Sequence, residues 1–410
     1  MAAERPRVGL GRIALGLSIA QITTYLAIFA TLNILLPAQI EGAVGASGKE
    51  AWLGIITTAG ALVAMIVSPV IGALSDRTRS PLGRRAPWIL AGGGLTLVAL
   101  NLVGATQLAF VLLVGWCLTQ AVVNMILMPL SSALPERVPH ARRGLISGVT
   151  GFATTFAIAL AAFVGAAFVG APLTGTIVLS VLVLVGAVAY VVLAPDRSSR
   201  DLVTTSGEGG PSMWATMLDG FRDHNFRWTW AGRFLVFLGY NLLSARMLYY
   251  VQAQFGMSVG DAAATVATVS AVGGLFMLLG LVVSAPLSDR FGRKPFVYLG
   301  GLFIAVGLAL ASFVTSEPQL IAAWAVVSIA FGSFIGVDQA LVADVLPAKE
   351  EVAKDLGVIN LAGTLPQTLS PAIGSAILAL AGGAYSVLIL AGAVVALSSV
   401  LTTRQIRGVR

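Results

Sequence analysis

A carboxylate inside an apolar stretch is the most conspicuous reactive group in this chain. Asp338 lies in the apolar run 319–345, roughly 12 Å from the end of that run at 1.5 Å rise per residue. Charges in such runs are costly, and they mark ion or proton paths or are held by partners. Trp324, Ser328, Phe331, Ile335 and Asp338 fall within about 80° of one another on a helical wheel. That face would line a cavity if Asp338 is hydrated. Two roles stay open: a protonatable coupling residue, or a structural carboxylate that accepts from hydroxyls or from the next helix. Arg246 lies in the run 228–254, roughly 27 Å from its start, too far along to pair simply with Asp338. Its long stem is expected to snorkel to the outer membrane interface rather than bind a ligand.

Uncharged polar residues cluster on helical faces in four other places. Gln21, Thr24 and Tyr25 share one face, and Trp116, Gln120 and Asn124 share another. Tyr240, Asn241 and Ser244 form a third, with Tyr249 and Tyr250 beyond it; Asn360, Thr364 and Gln367 form a fourth, beside Pro366 and Pro371. Donors, acceptors and aromatic rings together suit a hydroxylated ligand, which offers many hydrogen bonds and an apolar C–H face. For any one of these residues, hydrogen-bonded glue between helices is the competing account. Four faces from different runs favour a shared cavity for a small hydroxylated solute.

The elements that carry these faces follow from composition. Hydrophobic residues make up 57% of 410 and charged residues 10%, against about 25% charged in an average soluble chain. Crossing a bilayer takes roughly 20 apolar residues. Twelve such runs are legible, at about 10–38, 51–74, 87–106, 108–133, 144–170, 172–194, 228–254, 261–287, 295–315, 319–345, 356–380 and 383–403. The expected fold class is an all-α membrane protein with twelve transmembrane helices. A net charge of +7 would suit a nucleic-acid binder, but 23 of the 25 basic residues, Arg233 among them, fall in every second loop or at the termini. Lys49 falls in an opposite loop and Arg246 within a run. The positive-inside rule then places both termini in the cytoplasm of a cell membrane, as an even number of crossings requires. The basic residues answer to lipid, not to nucleic acid. The first run is too long for the core of a cleavable signal peptide and reads as a retained helix.

The alternation breaks once, at 195–227. Pro195 to Ser212 reads as a flexible linker. Trp214, Met217, Leu218 and Phe221 have the spacing of a short amphipathic helix on the membrane surface. The expected domains are a six-helix bundle at 1–194, the linker at 195–227, and a second six-helix bundle at 228–410. The halves repeat. Gly72-Ala-Leu-Ser-Asp76-Arg77, then Gly83-Arg84-Arg85, answers to Ala285-Pro-Leu-Ser-Asp289-Arg290, then Gly292-Arg293-Lys294. Leu134-Pro-Glu136, then Pro139 and Gly144, answers to Ala343-Asp344, then Pro347 and Gly357, and Trp116 answers to Trp324. Two halves of the same orientation are expected to place a site between them near the midplane. In the repeated loops, Asp76 and Asp289 can accept from a neighbouring helix start. The arginines can bridge to acids such as Glu136 and Asp344. Such contacts would form a gate that breaks on opening, or serve only as topology signals and interfacial ion pairs.

The doubled Gly/Ala-x-x-x-Asp-Arg…Gly-Arg-Arg/Lys pattern, with Gly72 in the first copy and Ala285 in the second, resembles the signature of the major facilitator superfamily, and the resemblance covers the whole chain. Ser75-Asp-Arg-Thr-Arg-Ser-Pro-Leu-Gly-Arg-Arg-Ala-Pro-Trp-Ile89, Asp355-Leu-Gly-Val-Ile-Asn360 and Pro366-Gln367 are similar to its sugar–cation symporter branch, which includes glycoside–pentoside–hexuronide and sucrose carriers. The resemblance implies alternating access by two rocking bundles, gating by Asp76, Arg77, Gly83, Arg84, Arg85, Glu136, Asp289, Arg290, Arg293 and Asp344, and a sugar or glycoside as solute. The chain departs from that branch where melibiose-type carriers have aspartates on the second helix: Ala51 to Ala59 contains none. Plant sucrose carriers have an aspartate on the fourth helix, where this chain has Gln120 and Asn124. Sodium coupling is therefore disfavoured, and proton coupling rests on Asp338.

Other chemistries lack their residues. No phosphate-binding glycine loop is present, one cysteine and two histidines leave little for a zinc site, and no Ser/His/Asp arrangement supports a hydrolase. The expectation is a transporter and not an enzyme, without cofactor, working as a monomer. The alternative is a proton antiporter that exports a drug or metabolite, for which Gly170-Ala-Pro-Leu-Thr-Gly175 is a weak signal. A transporter-fold sensor without turnover calls for a longer signalling loop than 195–227. Arginine outnumbers lysine 21 to 4, a composition that fits a GC-rich bacterial genome.

Overall fold

The computed structural model describes residues 8–139, 142–196, 198–200, 220–345 and 352–407. The surface helix expected around Trp214, Met217 and Leu218 lies outside the described residues, as do the side chains of Asp289, Asp344 and Asn360. Among the described residues every regular element is helical: α1 (Leu10–Ala30), α2 (Leu36–Arg77), α3 (Ala86–Gly104), α4 (Ala109–Arg137), α5 (Arg143–Ala167), α6 (Pro172–Leu193), α7 (His224–Ser244), α8 (Met247–Phe255), α9 (Val259–Phe291), α10 (Arg293–Ala311), α11 (Glu317–Val345), α12 (Val352–Leu380) and α13 (Tyr385–Gln405). Nine membrane-length apolar helices are present among them, or ten when the bent pair α7–α8 is taken as one. Large apolar side chains such as Val98, Phe110, Phe152 and Phe313 are exposed, which a lipid solvent accommodates and water does not.

The apolar stretch Leu10–Arg77 runs for 68 residues, roughly 100 Å as a straight helix and far beyond any bilayer. Two local features interrupt it. Residues Thr31–Leu35 form a π-turn between α1 and α2. Pro37, in the first turn of α2, has no N–H to give the carbonyl four residues back, and a widened turn absorbs that mismatch. Gly45 then breaks α2 outright, at φ 71° and ψ −179°, a conformation that is essentially glycine's alone. The break divides the stretch into two arms, 10–44 and 46–77. Lys49 and Glu41 pair across it at 2.9 Å. Gly45→Ala is expected to lower stability by about 1–3 kcal/mol, read as a fall in the thermal unfolding midpoint in detergent.

The chain forms two compact units, residues 1–205 with 259–264, and residues 206–258 with 265–410. In the first, α1 packs on α5 and α6, α3 on α4 and α6, and α2 on α4. In the second, α7 packs on α12 and α13, and α10 on α11 and α13. Counted from the start of each bundle, the same helices pair. Small residues set the approach. A Cβ on Gly280 would strike the Ile329 carbonyl, and one on Gly332 the Met277 carbonyl, so α9 and α11 touch backbone to backbone.

Candidate functional site

The stripe Arg233, Phe237, Tyr240 on α7 lies along Asp338, Phe334, Phe331 and Trp324 of α11. Arg233 Nη1 donates to Asp338 Oδ2 at 2.5 Å, and both side chains are buried, at 7% and 4% exposure. Phe237 packs edge-on against Phe331 and Phe334, at ring separations of 5.2 and 6.4 Å. Tyr240 stacks on Phe331 at 4.0 Å, with Trp324 5.4 Å away. The Arg233 guanidinium also lies 5.5 Å from the Phe237 ring centre, in cation–π range. Trp324, Ser328, Phe331 and Asp338 of the α11 face are all buried, and Arg233 supplies the carboxylate's partner. One sequence expectation changes here. Arg233, assigned to a basic loop, instead sits inside α7. Its signal was its place five residues inside the run 228–254, in phase with Phe237 and Tyr240.

Arg246 does not snorkel. Its side chain is 1% exposed and donates to the carbonyls of Ser370 (3.2 Å) and Pro371 and to Ser375 Oγ (2.9 Å), all on α12. The run 228–254 is two helices, α7 and α8, bent by 49° beside Arg246.

The uncharged polar residues divide between glue and candidate ligand groups. Gln21 Oε1 accepts from Thr154 of α5 at 3.4 Å, and Tyr25 stacks on Phe29. Thr24 is buried and donates back to the Ala20 carbonyl. Asn124 accepts from Ser68 of α2 at 2.8 Å and donates to the Gln120 carbonyl, a tie between α2 and α4. The Trp116 indole edge lies on Gly60, where a Cβ would come within 2.5–2.6 Å of it and 3.1 Å from Gln120. The buried Trp116 N–H has no hydrogen-bond partner among the described residues. In the second unit the same contact recurs between Trp324 and Gly273, a matched glycine on the second helix of each repeat that was not singled out from the sequence. Asn241 donates to the Phe237 carbonyl of its own helix, and Gln367 is exposed.

At the other end of the first unit, the repeated loop builds an ion cluster. Arg85 Nη2 meets Asp76 and Glu136, each at 2.5 Å, and Arg85 Nη1 donates to Ser75 Oγ at 2.5 Å. Arg84 reaches Glu136 at 2.9 Å, while Arg77 is exposed. Asp76 thus receives a guanidinium rather than backbone N–H groups. Burial works against the Arg85 charge, but Glu136 and then Asp76 outweigh it and hold its proton above the ordinary guanidinium affinity. Gly83, at φ +88°, turns the loop against the Asp196 carboxylate, where a Cβ would collide. The first residues of the expected linker that the structure describes lie against this loop. Ser199 Oγ accepts from the Ser80 N–H and donates to the Thr78 carbonyl, both at 2.9 Å, and Arg137 donates to the carbonyls of Ala194 and Pro195. In the second unit Arg290 is exposed and Arg293 half-buried.

Two helical bundles with repeated packing and charge buried within apolar helices make an all-helical membrane fold, and solved structures share it. The structure aligns with a bacterial homologue of the human lysosomal transporter Spinster in an inward-facing, unoccupied conformation (TM-score 0.72, 14% identity, 97% of each chain). It also aligns with a D323A variant of the nucleoside transporter NupG (TM-score 0.74, 13% identity, 97% of this chain and 100% of that one) and with the peptide transporter POT in complex with sulfate (TM-score 0.73, 14% identity, 98% of each chain). In sequence, 56 residues are 39% identical to a general alpha-glucoside permease of Schizosaccharomyces pombe, a match spanning 14% of this chain and 10% of that relative. Residues 8–403 match the family described as MFS/sugar transport protein. The chain belongs to that family, one of membrane transporters of small molecules and not of enzymes.

Proposed function

We propose that the protein is a secondary active transporter that moves a sugar or glycoside across the cell membrane by alternating access, coupled to a proton through Asp338. The chain works as a monomer of twelve crossings with both termini in the cytoplasm. Asp76, Arg77, Gly83, Arg84, Arg85 and Glu136, with Asp289, Arg290, Arg293 and Asp344 in the second repeat, act as the cytoplasmic gate. Gln21, Thr24, Tyr25, Trp116, Gln120, Asn124, Tyr240, Asn241, Asn360 and Gln367 supply the polar and aromatic groups from which the solute's contacts are drawn. The sugar reading is supported by the family description and by the short match to an alpha-glucoside permease.

The observation that carries proton coupling is the buried Arg233–Asp338 pair. Asp338 is the one acidic side chain fully buried among the described residues. A carboxylate can lose its charge by taking up a proton, whereas a guanidinium cannot. The pair therefore has two states that differ in what Arg233 must hold, which is what coupling a proton to a conformation requires.

Purified protein in proteoliposomes, offered labelled disaccharides, glycosides and pentoses with and without an inward proton gradient, tests both parts. The wild type is expected to concentrate one of these sugars when the gradient is imposed. Asp338→Asn keeps a hydrogen-bond acceptor for Arg233. It is expected to exchange labelled for unlabelled sugar but to lose all gradient-driven accumulation. Accumulation by Asp338→Asn would remove the coupling role and leave the sugar reading standing. Folded protein that takes up none of the panel would replace the sugar reading with export of a drug or metabolite.

A further inference from the structure

The bend at Arg246 has a counterpart on the helix it binds. α7 and α8 meet at 49° around Ala245 and Arg246, and the guanidinium reaches the Ser370 and Pro371 carbonyls. α12 is weakened at this level by Pro366 and Pro371, each of which removes a backbone donor from the helix ladder. The seat is made by Gly374, where a Cβ would occupy the guanidinium's place. Beyond the bend, Tyr250 donates to the Ala311 carbonyl at 2.6 Å and Gln254 to the Val314 carbonyl at 2.7 Å, which fixes α8 to the end of α10. Before the bend, a separate set of contacts joins α7 to the first half of α12. Trp230 Nε1 donates to the Val358 carbonyl at 2.9 Å, and Phe226 packs with Val358 and Ile359.

We infer that Arg246 is the pin of a double hinge, at which α7–α8 and α12 bend together while the pin itself never opens. One arm is α7 with the first half of α12; the other is α8 with residues 370–380. The pin stays closed because a guanidinium cannot shed its charge, and stripping it of acceptors in an apolar interior is prohibitive. Motion is left to the turn at Ala245 and Arg246, where Arg246 leaves helical geometry at φ −124° and ψ 13°, and to the proline-weakened turns. Arg233 rides on the first arm, so bending alters its approach to Asp338. That last link, and the use of pH to drive the bend, rest on the proposed proton coupling; the permanence of the pin does not. Arg246 is thus a positioning residue.

Spin-label distances test the hinge, first without any sugar and then with the sugar panel, in a background with the lone Cys117 replaced by serine. Ala253→Cys with Leu380→Cys lies within the second arm; Arg227→Cys with Leu380→Cys spans the hinge. The first pair is expected to keep one narrow distance from acidic to alkaline buffer, while the second shifts or splits. Arg246→Gln is expected to lose the narrow peak of the first pair. Gly374→Ala, which leaves the arginine but takes its seat, serves the same purpose if the first variant does not fold. A first pair that shifts in the wild type overturns the permanent pin. So does a peak left as narrow in the variants, and a second pair that moves neither with pH nor with any sugar of the panel overturns the hinge, whereas one that moves with sugar alone removes only the proton coupling. Absence of sugar transport with these distances as expected would sink the solute reading alone.

Discussion

Asp338→Leu with Arg233 kept is expected to destabilise the second bundle by about 3–5 kcal/mol, the cost of breaking a buried ion pair from one side. Arg233→Leu with Asp338 kept is expected to cost clearly less. The asymmetry follows from proton chemistry. Left alone, Asp338 can take up a proton and become a neutral acid in an apolar setting. Left alone, Arg233 stays charged, 7% exposed, with the Phe237 ring as its remaining cation partner among the described residues. The double replacement is expected to recover most of the loss, because two buried charges exchanged for apolar side chains of similar bulk are often neutral in stability. Unfolding of all three variants in mixed detergent micelles gives the comparison. Equal losses in the two single variants would mean that water reaches the pair. A double variant as unstable as Asp338→Leu would mean that the stripe from Arg233 to Tyr240 is held by shape rather than by charge balance. The same set bears on coupling, since a pair that water reaches freely in the resting state has no barrier to separate its two protonation states.

The sequence carried the fold at the level where the hydrophobic effect writes it. Apolar runs, basic loops and the doubled Asp-Arg…Gly-Arg pattern announce helices, bundles and the cluster of Asp76, Arg84, Arg85 and Glu136, because these depend on composition and on contacts near in sequence or repeated. What stayed hidden depends on where a long side chain turns. Arg233 and Asp338 are 105 residues apart, and a shift of a few residues in the start of α7 decides whether Arg233 counts as loop or membrane. Arg246 misleads for the same reason: the stem that lets an arginine snorkel also lets it reach the carbonyls of a neighbouring helix. The gap between the runs 10–38 and 51–74 already brackets the break at Gly45; what it does not give is the helical backbone that continues on both sides of that glycine. The Gly60–Trp116 contact was half legible, since Trp116 and Trp324 stand out as a repeated pair. Gly60 and Gly273 are two among 46 glycines until packing picks them out.

Arg85→Ala is expected to open the ion cluster of the first bundle, and Arg84→Ala to leave it nearly intact, although the two residues are neighbours with a shared acid. The Arg84–Glu136 contact, at 2.9 Å, is about a third exposed on both sides, and ion pairs in that setting contribute about 0–1 kcal/mol. Arg85 is 4% exposed and holds Ser75, Asp76 and Glu136 together from one guanidinium. Loss of its charge-assisted hydrogen bonds is expected to cost about 1.5–3 kcal/mol, tempered because both acids can turn to water. Those bonds join the end of α2, the start of α3 and the end of α4, so the expected signature is local. Amides of residues 76–88 should exchange with deuterated water faster in Arg85→Ala than in the wild type, and at the wild-type rate in Arg84→Ala. Equal acceleration in both variants would mean that the cluster is a diffuse pool of charge, and it would withdraw the gate from Arg85. Arg85→Lys separates charge from geometry. An ammonium keeps the charge but not the planar fork that meets three acceptors at once, so the lysine variant is expected to behave as the alanine variant does.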